Sequence, residues 1–158
     1  MATIKRLQRR TKALATVHKL LVGEERTVAR QLGECRQKEH IEQQKLSSLQ
    51  DYYNEYLENM RQAQLQRQTG VKDRVRQQLF LSRLQTVIER QQLEIQAIQS
   101  YTQRATELWI SASRRERNMG DQLHGATRQL NVLSEQAADR QTEEESEQRR
   151  AFDRRSNR

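Results

Sequence analysis

Apolar side chains recur along this chain at alternating separations of three and four residues. Counting from Ile4, the series runs through Leu7, Leu14, Leu21, Val28, Leu32, Cys35, Leu46, Leu49, Tyr53, Tyr56, Met60 and Ala63. Thirteen of its eighteen positions are apolar or aromatic, with Thr11, His18, Glu25, Glu39 and Glu42 as the interruptions. A second series starts at Leu81 and continues through Leu84, Ile88, Ile95, Ile98, Ala105, Trp109, Ala112, Met119, Leu123, Ala126, Leu130, Leu133 and Ala137. There fourteen of seventeen positions are apolar, with Gln91, Thr102 and Glu116 between them. Such spacing marks one face of an α-helix, and its persistence over many heptads marks a coiled-coil seam.

The two series meet at Arg67-Gln68-Thr69-Gly70, which holds the sole glycine between Gly33 and Gly120. Glycine just past a helix end adopts the left-handed conformation at little cost, and Asp73 suits the first turn of a following helix, where its charge opposes the dipole. The pattern therefore predicts an all-α fold, a long antiparallel two-helix coiled-coil hairpin over residues 1–140. Helix one covers about 3–67, the turn about 68–71 and helix two about 72–140. Some sixty-five helical residues rising 1.5 Å each would make a rod of about 100 Å. Residues 141–158 read as a charged C-terminal tail, either a helical extension or disordered. Gly120 and Gly125 should soften helix two locally, each by about 1 kcal/mol relative to alanine.

A pair of helices buries one stripe on each, and here the stripe is flawed. Glu39 and Glu42 occupy seam positions, so the pair is expected to open locally or to be covered by another protein. Tyr52, Phe80, Val87 and Tyr101 fall outside the seam. Phe80, Val87, Tyr101 and Leu108 share one heptad position, interrupted by Glu94, and folding about the turn brings Tyr52 beside Phe80. Aromatic residues make up only 4% of the chain, so their concentration here suggests a docking strip.

Composition supports the helical reading. Of 158 residues, 34% are apolar and 32% charged, and there is no proline. No run approaches the ~20 apolar residues of a membrane span, and no secretory signal is expected. The single cysteine, Cys35, cannot form an internal disulfide, which suits a reduced cytoplasmic setting. The net charge of +8 is uneven: residues 1–22 carry six Lys/Arg and no acid, and residues 67–117 carry ten against five. The run through Lys5, Arg6, Arg9, Arg10 and Lys12 could meet nucleic acid or anionic lipid. It reads more simply as the solvated face of a helix.

Candidate chemistry is sparse. His18, His40 and His124 are scattered, and Cys35 with His40 lacks further ligands, so no metal site is expected. No phosphate loop or nucleophile elbow is present. A hairpin offers no concave, dry pocket in which acidities could be tuned, so a non-enzyme without cofactors is expected.

The stretch Leu46…Leu49…Asp51-Tyr52…Asn54-Glu55-Tyr56…Met60 resembles the Leu-x-x-Leu-x-x-Tyr-x-x-Glu-Tyr run of the FliJ family of flagellar type III export proteins. Leu32-Gly33-Glu34-x-Arg36 is similar to that family's Leu-Gly-Glu-x-Arg step. Phe80-x-x-x-Leu84 with Val87-Ile88-Glu89 resembles the start of its second helix, and Trp109 falls where a tryptophan is often found. The resemblance implies a cytoplasmic, stalk-like coiled coil that works between the hexameric export ATPase and the cytoplasmic domain of the export gate, and that assists export chaperones. Its association with the inner membrane would be peripheral, through those partners. The family's gate-contact surface would fall on Leu49, Tyr52, Tyr56, Phe80, Leu84, Val87, Gln91 and Lys45. Contact with the ATPase ring would fall on the basic start at Lys5, Arg6, Arg9 and Arg10. Nucleic acid is not an expected partner. The alternatives are an equivalent stalk of a virulence type III secretion system and, in a different class, a basic coiled coil that binds nucleic acid.

Overall fold

A computed structural model describes residues 1–68 and 70–157; Thr69 in the expected turn and Arg158 in the expected tail lie outside them. Two helices account for nearly all of the described chain, α1 over Ala2–Leu65 and α2 over Val71–Ser156, and they pack against each other as a helical hairpin. The second helix is continuous through the charged segment beyond residue 140. Neither helix is long and apolar enough to cross a membrane.

The chain divides into two units, residues Thr27–Ile110 and residues Met1–Arg26 with Ser111–Arg158. In the first, which contains the turn, Leu32 of α1 is buried with Leu81, Leu84, Ile88, Ile95, Ile98 and Ala105 of α2. Leu46, Leu49, Tyr53 and Tyr56 are half-buried from the α1 side. All of these lie on the two apolar series, as expected when two amphipathic stripes close on one another. Partial burial is the rule because two helices leave every side chain with an open flank, and no described side chain is fully enclosed.

In the second unit the buried residues are Leu7, Ala112 and Ala126, with Leu14, Leu21, Met119, Leu123 and Leu130 half-buried. A polar layer crosses it, where His18 Nε2 lies 2.9 Å from Glu116 Oε1. Beside it Arg115 Nη2 donates to Glu24 Oε1 at 3.0 Å. Gly120 also has a packing reason: a Cβ placed there would sit 3.1 Å from His18 Nε2. The missing side chain makes room for the imidazole, and α2 runs unbroken through Gly120 and Gly125. Beyond Leu133 every described residue of α2 is exposed, and a groove there is lined by Met1 and Ile4 of the α1 side and by Ser134, Ala137 and Gln141 of α2.

The turn differs from the expectation in which residue bends the chain. Among the described residues Arg67 takes a positive φ, at 54°. Arg67 N–H donates to Gln64 O at 3.2 Å and Gln68 N–H to Ala63 O at 3.1 Å. This pair of bonds is the Schellman closure of a helix C-terminus, with Arg67 in the position glycine usually takes. Gly70 instead starts α2: its carbonyl accepts from Arg74 N–H at 3.2 Å, the first intrahelical bond of a helix whose N-cap residue it is. Asp73 follows in the first turn, where its carboxylate faces the positive end of the dipole.

Candidate docking face

The aromatic cluster lies beside the turn, within the unit Thr27–Ile110. Tyr56 comes from the seam of α1, and its ring centroid is 4.7 Å from that of Phe80, tilted by 45°. Tyr52, one turn earlier, meets the same ring edge-on at 6.3 Å and 81°. Both separations fall within the range where aromatic pairs attract beyond simple area burial. Tyr52 and Phe80 remain 50% and 38% exposed, so the ring pair is held from one side and open on the other.

Farther from the turn, about three helical turns along each helix, the seam carries a polar layer. Gln91 Nε2 donates to Glu42 Oε2 at 2.7 Å and to the Glu42 carbonyl at 3.0 Å. Lys45 Nζ donates to the other carboxylate oxygen, Oε1, at 2.9 Å. The Glu42 side chain is only 12% exposed, yet its pKa is lowered from the ordinary 4.5. The hydrogen bond from Gln91 is the largest cause, followed by the bond from Lys45, and together they outweigh desolvation. The seam is closed at Glu42 by an amide of matching reach from the opposite helix. Glu39 is half-buried, with a long contact from Gln43 Nε2 at 3.5 Å.

Lys45, Leu49, Tyr52 and Gln91 line one shallow groove together with Ile41, Gln44 and Ser48. Ile41 is exposed and was missed by the sequence reading; an isoleucine off the seam, four residues before Lys45, was the available signal. Val87 is exposed on the same flank of α2 as Phe80, one heptad further on. Leu84 differs from the others: at 8% exposure it belongs to the core and can act only by carrying its neighbours. Gln91 and Lys45 both bond the Glu42 carboxylate. Lys5, Arg6, Arg9 and Arg10 lie elsewhere, in the other unit. They are exposed on the first turns of α1, where no acid offsets the helix dipole.

An open face of this kind can bind a surface but cannot exclude water from a reacting centre. Among the described residues no three His, Cys, Asp or Glu side chains converge in a way that could hold a metal ion. Comparison with known proteins finds the family described as Flagellar FliJ protein, matched over residues 11–156. No curated protein and no solved structure matches the chain.

Proposed function

Because this chain belongs to the FliJ family of flagellar export proteins, we propose that it is a non-enzymatic coupler within the flagellar type III export apparatus. It works between the hexameric export ATPase and the cytoplasmic domain of the export gate, and it assists export chaperones. In this reading it stays in the cytoplasm and reaches the inner membrane only through those partners. The face built on Tyr52, Tyr56 and Phe80, with Leu49, Val87, Lys45 and Gln91 around it, docks the gate domain. The basic start of α1, at Lys5, Arg6, Arg9 and Arg10, faces the ATPase ring. The observation that carries the reading is the open aromatic cluster at the positions where the family resemblance puts gate contact. Exposed aromatic side chains held by a packed layer are the usual anchors of protein interfaces.

The test is direct. Tyr52→Ala with Phe80→Ala should weaken binding of the purified gate domain about tenfold or more, as loss of an aromatic anchor does, while helical content measured by circular dichroism stays the same. Unchanged affinity in a helical variant would remove the docking assignment. For the other end, reversing Lys5, Arg6, Arg9 and Arg10 to glutamate should lose recovery of the hexameric ATPase in a pull-down with purified components. Full recovery would remove that assignment.

A further inference from the structure

The flank of α2 beside the aromatic cluster carries two parallel rows. Phe80, Val87, Tyr101 and Leu108 follow one another at heptad spacing with Glu94 between, and they are 38% to 64% exposed. Arg76, Arg83, Arg90 and Arg104 follow at the same spacing with Ala97 between, each four residues ahead of a position in the first row. Residues four apart stand next to each other on a helix, so the guanidinium row runs along the edge of the apolar row. All four arginines are exposed. Among the described residues none of them enters an ion pair, not even Arg90 with Glu94 one turn away. Lys38 and Lys45 stand at the corresponding positions on the neighbouring flank of α1.

We infer that this double row is a seat for an acidic amphipathic helix, which packs there as a third member of the coiled coil. Three features favour that occupant. A row with seven-residue period is matched along its length by another helix of the same period, whereas an extended segment rises more than twice as fast per residue. A helix seated over Phe80, Val87, Tyr101 and Leu108 brings its own flanking positions against the arginines, which are free to accept carboxylates and would repel lysines. The apolar row is one residue wide and broken by Glu94, too narrow for a face that lies in a lipid interface. It is also of no use to a phosphate backbone, which needs the arginines alone. The inference rests on the docking reading at Phe80 and Val87. It extends the face to Leu108 and names the partner's chemistry.

Two synthetic peptides of about four heptads, with the same leucine seam and either glutamate or lysine at the flanking positions, test it by fluorescence anisotropy against the full chain. The expected result is binding of the glutamate peptide and not of the lysine peptide. Arg83→Glu, Arg90→Glu and Arg104→Glu together should weaken the glutamate peptide about tenfold or more and admit the lysine peptide. Tyr101→Ala with Leu108→Ala should also weaken binding, at unchanged helicity. The equal charge change Arg149→Glu, Arg150→Glu and Arg154→Glu should leave binding as it was. Equal binding of both peptides, or equal loss from the distant reversal, overturns the proposal. So does a duplex DNA or an anionic phosphatidylserine vesicle that binds more tightly than the peptide and responds to the same row variants. The gate-domain assay with Tyr52→Ala and Phe80→Ala tests the docking reading itself, and the peptide pair tests the partner's chemistry, so failure of the one is distinguishable from failure of the other.

Discussion

The two units close their seams with different side chains. Around the turn, α2 presents Leu81, Leu84, Ile88, Ile95 and Ile98, all buried. In the unit formed by Met1–Arg26 and Ser111–Arg158, the buried positions of α2 are Ala112 and Ala126, with Gly120 between them beside the His18–Glu116 layer. Large aliphatic side chains remove far more apolar area per position than alanine does. Small residues instead leave room for a polar pair and give up hydrophobic stabilisation to do so. The unit that carries the candidate docking face is therefore the one whose α2 seam buries the larger aliphatic side chains, which suits the ring geometry the proposed docking requires.

The sharpest way to break this comparison is to equalise the two seams. Ile95→Ala should destabilise the hairpin by about 2–5 kcal/mol, the range for a buried large-to-small change. Ala112→Ser, a small change at a small site, should cost much less. Thermal unfolding followed by circular dichroism checks both. Native-state hydrogen exchange adds the spatial test, with amides of residues 81–98 expected to exchange last and those beyond 133 first. Equal losses from the two substitutions, or uniform exchange, would show that the seams are energetically alike.

The glycines of the weaker unit give a smaller effect. A Cβ at Gly125 meets nothing within 4 Å, so Gly125→Ala should stabilise the helix by about 1 kcal/mol. At Gly120 the same gain is opposed by the contact with His18, and Gly120→Ala should help less or not at all. Removing the ring with His18→Ala should restore the gain, which a double-mutant cycle reads directly. At the turn, Arg67→Gly relieves a left-handed arginine and should stabilise by about 0.5–1 kcal/mol, less than the full steric penalty because glycine is freer when unfolded.

These cases also show what the sequence could reveal. Every seam position from Ile4 to Ala63 is at least half-buried, and so is every one from Leu81 to Leu133. Spacing determines which face of a helix is covered, and that much was legible. Ala137 is exposed, because a seam position is buried only where the other helix lies opposite it, which its own spacing does not record. Glu42 looked like a flaw in α1, and Gln91 is its answer on α2; a one-dimensional pattern names seam residues but does not pair them across the turn. The same holds for His18, Glu116 and Gly120, whose fit depends on register. Arg67 carries no sequence signal for its left-handed cap, because glycine is the residue expected there and Gly70 stands three positions on. Of the candidate face, Tyr52, Phe80 and Val87 were readable as off-seam rings and aliphatics. Ile41, and the core position of Leu84, became clear only once the flanks were closed.

The smallest expected effect concerns pH and belongs to the unit Thr27–Ile110 alone. The Glu42 carboxyl titrates below its ordinary 4.5 in the folded chain, chiefly through the bond from Gln91. A group whose folded value is depressed binds its proton more readily when unfolded, so it stabilises the fold above the unfolded carboxyl value. That contribution fades as pH falls through the lowered value. Glu42→Gln removes the titration while keeping the shape, and should flatten the acid limb of the stability curve measured by urea unfolding. Within the wild-type layer, Gln91→Leu should raise the Glu42 value more than Lys45→Ala does, as followed by carboxyl-carbon NMR. The reverse order would mean that the lysine, with its side chain 60% exposed, holds the carboxylate in place of the amide from the opposite helix. In that case the polar layer would be a local feature of α1, and the link across the seam at this level would rest on apolar packing alone.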